Sequence, residues 1–298
     1  MIKILFLFSF FFVLSANEKK LNDTLSFPKL DLRNSTFVFD SPIDLTKFFE
    51  QERSHNFLTD EQIEIIKQKA KNYEVKKVQS NEIIIMETSH GIMKFKLFED
   101  IAPENCLNFK KLANSGFYDE TFFHRIIPDF IIQGGDILSR DSNKNNDGLG
   151  NPGWTVKAEF NDKRHIRCTL SMHRIKNDIN SAGSQFFISL SENQNFDNKY
   201  TIIGEIIDNI HVLDIMENLQ SESVIALRML NKQIPMSEDP ENWEKITYNN
   251  QKYFVKIPKG QNKENYLKIL FDRIENTNRP HAAVKIKSVR VVNPNDNL

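Results

Sequence analysis

Phe122-Phe123-His124-Arg125-Ile126-Ile127-Pro128-Asp129-Phe130-Ile131-Ile132-Gln133-Gly134-Gly135-Asp136 sets one arginine inside an almost wholly apolar run and follows it with one glutamine and a Gly-Gly turn. A half-buried guanidinium costs free energy unless hydrogen-bonding partners reach it. Two arrangements meet that demand. Either Arg125 faces a pocket and donates to an uncharged ligand, or it lies on an edge strand with its stem along the protein and its head in water.

On both sides of this stretch the pattern is that of short strands. Residues 82–87 and 92–98 are β-rich runs joined by Thr88-Ser89-His90-Gly91, a hairpin signal. Residues 102–114 read as a helix with Pro103 in its first turn. Strands are expected at 121–127, 130–133, 169–173, 186–190 and 201–206, a second helix at 209–219 and a last strand at 281–292. The Asn/Asp/Gly-rich stretch 141–153 reads as a long loop. Many short strands with two helices point to a mainly β barrel or sandwich.

Two segments stand outside that pattern. Residues 17–79 read as a helical extension. Ser41-Pro42 starts one short helix, and Thr59 with Gln62 forms a capping box for a second, in which Leu58 staples onto Ile63. Residues 221–280 carry Trp243, a Tyr248/Tyr253/Phe254 cluster and an amphipathic stretch, 265–274. Sixty structureless residues would be unusual in a compact domain, so an inserted α/β subdomain is expected there. The division is then 1–16, 17–79, 80–220 with 281–294, and 221–280.

Lys3 followed by the apolar run 4–14 has the form of an export signal, too short to cross a bilayer comfortably as a mature helix. Cleavage after Ala16 or after Ser15 fits; an uncleaved anchor is the other reading. The remainder is expected to work outside the cytosol, in the periplasm of a bacterium or otherwise in the secretory pathway. Such a compartment permits a disulfide between Cys106 and Cys168, though both serve equally as small apolar fillers. Asn22-Asp23-Thr24 and Asn34-Ser35-Thr36 are glycosylation acceptors in a eukaryote. Net charge is −1, with 39 basic and 40 acidic residues, and that balance argues against nucleic acid as the main partner. His90, His165, His173 and His211 show no metal-ligand spacing. Residues 141–153 lack the acid a calcium loop needs at its end. Gly134-Gly135 lacks the helix and lysine of a phosphate loop.

The 122–136 stretch, then Leu170-Ser171-Met172, then Ser181-Ala182-Gly183-Ser184-Gln185-Phe186-Phe187-Ile188 resemble, in that order, the cyclophilin family of peptidyl-prolyl isomerases. The resemblance covers about 80–220 and the last strand, with details similar to bacterial-type secreted members. It implies a closed eight-stranded antiparallel barrel capped by two helices, with no metal and no cofactor. It implies that Arg125 is the catalytic arginine and Gln133 the glutamine beside it. Phe130, Ile131, Phe187 and Phe196 would wall a proline pocket. Gln185 would line the groove, His173 would stand where the backbone pairs with substrate, and Tyr200 would replace a frequent histidine. Ile131 departs from a usual methionine, Asp129 from a glycine and Asn195 from a ring. His173-Arg174-Ile175-Lys176 makes the groove narrower and more basic.

The chemistry fits these residue types. Amide resonance raises a rotation barrier of about 18–20 kcal/mol, so an X–Pro bond isomerises over tens to hundreds of seconds unaided. At the twisted transition state the nitrogen lone pair is released and accepts a hydrogen bond that it could not accept before. A donor fixed beside that nitrogen stabilises the transition state selectively. The expected substrates are proline-containing polypeptides, and the expected role is folding of exported proteins, with no titrating group in the reaction and a flat profile between about pH 5.5 and 8.5. The alternative is a non-catalytic binding module on the same scaffold.

Overall fold

Alternating apolar positions make the strands of the structure, a computed structural model that describes residues 57–295. In β1 (Ile83–Thr88) the buried residues are Ile84, Met86 and Thr88; in β2 (Gly91–Leu97) they are Met93, Phe95 and Leu97. Period-two burial of this kind puts one face of a sheet on a core. The two strands pair from Ile83 opposite Lys96 to Thr88 opposite Gly91. Their turn is held by Thr88, whose hydroxyl donates to Gly91 O at 2.8 Å and accepts from the His90 N–H at 3.0 Å.

The remaining barrel strands are β3 (Thr121–Phe123), β4 (Arg125–Ile127), β5 (Ile131–Gly134), β6 (Thr169–Met172), β7 (Phe186–Ser189), β8 (Ile202–Asp208) and β11 (Val284–Val292), while β9 (Trp243–Tyr248) and β10 (Gln251–Lys256) form a separate hairpin. They form one antiparallel sheet in the order β3-β11-β1-β2-β8-β6-β7-β5-β4. The expected closed eight-stranded barrel is therefore a nearly closed one of nine strands. The single strand expected at 121–127 breaks at His124, because Phe123 pairs with Val284 of β11 while Arg125 pairs with Gln133 of β5. One straight strand does not reach both neighbours. The two halves sit at opposite ends of the sheet, and the ring is drawn together by a bridge from Phe122 to Asp136 and by the Phe122 N–H on Ser139 Oγ at 2.9 Å. The last strand starts at Val284 rather than at 281.

Helix α2 (Pro103–Ser115) covers the core with Cys106, Phe109, Leu112 and Ala113 and stops at Gly116 in the left-handed region. Helix α3 (His211–Glu217) is shorter than expected and buries Val212, Leu213 and Met216. Helix α1 (Asp60–Asn72) carries both reciprocal bonds of its capping box, and its Ile63 and Ala70 join the barrel core together with Leu58. The helix expected at Ser41-Pro42 and the signal-like segment lie outside the described residues. No helix among the described residues is long and apolar enough to cross a membrane. Both cysteines are free. Burial pushes the Cys106 thiol up to about 12, and it donates weakly to Ile203 O.

The inserted segment builds a core of its own. Helix α4 (Glu222–Arg228), the hairpin β9 (Trp243–Tyr248) and β10 (Gln251–Lys256), and helix α5 (Lys263–Asn276) surround Ala226, Ile246, Val255, Tyr266, Leu270 and Ile274. The hairpin turns on Asn249 and Asn250, both at positive φ. Two consecutive such residues match the right-handed twist of the flanking strands.

Candidate active site

Strand alternation sorts this sheet into two faces. Ile126, Ile132, Leu170 and Ile188 are cross-strand neighbours and belong to the barrel core. Arg125, Gln133, Phe187 and Ser171 form the adjacent row and project to the opposite face. Ile131, two residues before Gln133, shares that face. Phe186 and Phe187 accordingly divide: Phe186 packs edge-on against Phe109, Tyr118 and Phe123 in the core, and Phe187 enters the site.

The site wall is aromatic. Phe196 ends a one-turn helix (Gln194–Phe196) capped by Asn193. It lies 5.3 Å from Phe130, 5.4 Å from Phe187 and 4.9 Å from Tyr200, centroid to centroid. Sequence reading missed one member. His165 stacks on Phe187 at 6.0 Å, and its backbone N–H and Nδ1 both meet Asp197 Oδ1, at 2.8 and 2.9 Å. It thereby ties the Phe196–Tyr200 segment to the barrel. Burial holds the His165 pKa below its ordinary value against the opposing effect of Asp197, which favours the neutral ring. Nothing local to Arg164-His165-Ile166 signals this role, because its partners are more than twenty residues away.

Arg125 stands beside that wall and forms no ion pair among the described residues. Burial lowers its pKa, while Tyr200 opposes the shift; an arginine starting so high remains charged at any working pH. Its Nη1 donates to Gln133 Oε1 at 3.4 Å, a long bond. Gln133 Nε2 donates to Gln185 Oε1 at 3.0 Å, and Gln185 Nε2 donates to Gly148 O and Gly150 O at 2.8 and 2.9 Å. This relay fixes the orientation of both amides.

The 148–150 turn that receives the relay is itself clamped. Asp136 accepts from the Leu138 N–H at 2.8 Å and from the Gly148 N–H. Burial nevertheless raises its pKa to about 6, against those bonds. A side chain at Gly150 would place Cβ 1.8 Å from Asp136 Oδ1, and one at Gly135 would meet Ser184 O at 2.5 Å. Both glycines serve close backbone approach.

His173 directly follows β6. Its N–H donates to Gln185 O at 2.9 Å. Burial, with Arg125 and Arg174 nearby, pulls its pKa down to about 4. Arg174 lies over the Tyr200 ring at 4.9 Å. Asp129, which departs from a usual glycine, takes a positive φ; its N–H donates to Glu217 Oε1 at 2.9 Å and its side chain is exposed. Asn195 is exposed as well.

A nearly closed antiparallel barrel bearing a cluster of rings beside a guanidinium that has no acid partner among the described residues has the arrangement of the cyclophilin-like class. The chain belongs to the cyclophilin-type peptidyl-prolyl cis-trans isomerases: residues 83–238 match the family described as "Cyclophilin type peptidyl-prolyl cis-trans isomerase/CLD". It is 32% identical over 146 residues to "Peptidyl-prolyl cis-trans isomerase" of Synechococcus elongatus, covering 49% of this chain and 94% of that one. It is 35% identical over 164 residues to "Peptidyl-prolyl cis-trans isomerase-like 2" of Gibberella zeae, covering 53% of this chain and 26% of that one, so it spans only about a quarter of that relative. A cyclophilin-type isomerase of Cryptosporidium parvum, solved in the presence of the dipeptide Ala-Pro, aligns with 70% of this chain and 98% of its own at a TM-score of 0.49 and 25% identity.

Proposed function

We propose that the protein isomerises X–Pro bonds in exported polypeptides, with Arg125 as the hydrogen-bond donor to the proline nitrogen. The observation that carries this reading is the charged, half-buried Arg125, in one cross-strand row with Gln133 and Phe187 of the ring cluster, near Tyr200, with a long bond to Gln133. The rings hold a proline and exclude water, which strengthens any hydrogen bond made inside. Gln133 and Gln185 fix the guanidinium plane. His173 and Ile131 border the groove in which the substrate chain would lie. An acceleration of about 10⁴-fold needs roughly 5.5 kcal/mol off the barrier. One charge-assisted hydrogen bond with good orientation is of that order.

The test is cis/trans exchange of an Ala-Pro peptide followed by NMR. Arg125→Ala should reduce kcat/KM at least about 100-fold while leaving peptide affinity within a few-fold, because the lost bond exists only in the transition state. Wild-type turnover in that variant would overturn the assignment and favour a peptide-holding role for the groove. Export rests on Lys3 and the apolar run 4–14. Secretion of the chain, with a mature N-terminus at residue 16 or 17, is the expected result; retention in the cytosol of the source cell would refute it.

A further inference from the structure

The inserted unit meets the barrel at the strand that carries Arg125. Asn278 O accepts from the Ile126 N–H at 2.8 Å, one residue beyond the arginine. The same segment is tied back to the start of α4. The Glu222 N–H donates to Arg279 O at 2.9 Å, and the His281 N–H donates to Gln220 O at 2.8 Å. The Arg279 side chain points the other way, toward the barrel. Its Nε donates to Asp147 Oδ2 at 3.1 Å and its Nη2 to Lys144 O. Glu222 Oε2 lies 3.6 Å from Arg279 and 3.2 Å from Arg273. The side chains of Arg279, Asp147 and Glu222 are only 14, 5 and 3% exposed.

Burying three charges together is weak evidence for stability, since apolar residues of the same volume often serve as well. What an ion pair adds is a fixed geometry. Asp147 directly precedes Gly148, whose N–H is held by Asp136 and whose carbonyl is held by Gln185. From Gln185 the bonds run through Gln133 to Arg125. The insert therefore reaches the arginine twice: through the backbone at Ile126 and through side chains by way of Asp147.

We propose that Arg279 is a positioning residue, through which the inserted unit holds the 147–150 turn and, by way of Gln185 and Gln133, sets the plane of the Arg125 guanidinium. This rests on the reading of Arg125 as the donor. A misplacement of about 1 Å at such a group is enough to cost up to about 100-fold in rate.

The experiment uses the full chain and an Ala-Pro peptide, with kcat and KM measured separately. Arg279→Met and Asp147→Asn should each lower kcat about tenfold and leave KM within about twofold. Arg279→Lys, which keeps the charge, should recover most of kcat. Val255→Ala, in the core of the insert and away from the clamp, should lower the melting temperature and leave kcat unchanged. In an Arg125→Ala background, Arg279→Met should cost less than about twofold, since its route is already cut. Full kcat in folded Arg279→Met or Asp147→Asn overturns the proposal, as does an undiminished effect in the Arg125→Ala background. If Arg279→Met does not fold, Asp147→Asn and Arg279→Lys decide. Should Arg125→Ala itself retain wild-type turnover, the donor assignment has failed. If it loses turnover while the clamp variants do not, only the role of Arg279 has failed.

Discussion

Besides His165, three further titratable side chains at the site, Arg125, His173 and Asp136, are displaced from their ordinary behaviour, and burial leads in each. Arg125 stays charged. His173 is pulled down to about 4, so its neutral form is favoured in the folded protein. That contribution is fully present above the unfolded value near 6.5 and is lost as pH falls toward 4. Asp136 is raised to about 6, which works in the opposite sense. Its contribution is present below the unfolded value near 3.8 and is lost as pH rises through 6. Between about pH 4 and 6 the two slopes oppose each other, each on the order of 2 kcal/mol. Relative to wild type, His173→Gln should therefore tilt stability downward from pH 4 to 6, read from urea midpoints; midpoints that rise over that range as steeply as those of wild type would contradict the assigned directions. The catalytic profile should be flat from about pH 7 to 8.5, as expected where no group titrates in the reaction. Toward pH 6 Asp136, which clamps the 148–150 turn, takes up a proton. Gly150→Ala tests the same clamp sterically. With Cβ driven to 1.8 Å from Asp136 Oδ1, it should cost more than about 2 kcal/mol in chemical denaturation.

Among the elements, those with local signals were legible. The capping box at Thr59 and Gln62, Pro103 at the start of α2 and the alternation of β1 and β2 are readable within a few residues. The broken strand at His124 was not, because the break is imposed by two partners, β11 and β5, on opposite sides of the ring. Helix α4 was missed for a related reason. Its seven residues are too few for a clear 3.6-residue period, and its packing comes from α5. Helix α1 is covered on one stripe only, with Ile63 and Ala70 in the barrel core. Ile63→Ala should cost about 2–4 kcal/mol of barrel stability by emptying that site. A thermal midpoint unchanged from wild type would mean that α1 is not docked in solution.

At the level of the whole molecule, the barrel closes across the length of the chain: β1 pairs with β11, and residue 83 meets residue 292. The insert interrupts that closure between α3 and β11, so the last strand enters the sheet only after some 65 intervening residues have been accommodated. Contacts of such long separation are slow to form. The same connection explains how the insert comes to lie on β4: its return segment, Thr277 to His281, must pass that edge to reach β11. Of the expected site residues, Arg125, Ile131, Gln133 and Phe187 lie on three strands, and Phe130, His173, Gln185, Phe196 and Tyr200 lie on three connecting segments between strands of the same sheet.

The sequence by itself determined which residues alternate, where helices start and which side chains have the chemistry for a charged donor in an apolar wall. These are properties of neighbouring residues, fixed by side-chain period, capping and polarity. Only the tertiary structure decided that His165 stacks on Phe187, that Gln185 links Gln133 to the 148–150 turn, and that Arg279 grips Asp147 from 132 positions away. Such pairs arise when a closed sheet brings distant segments together, and no local pattern records which distant partner a polar group will find.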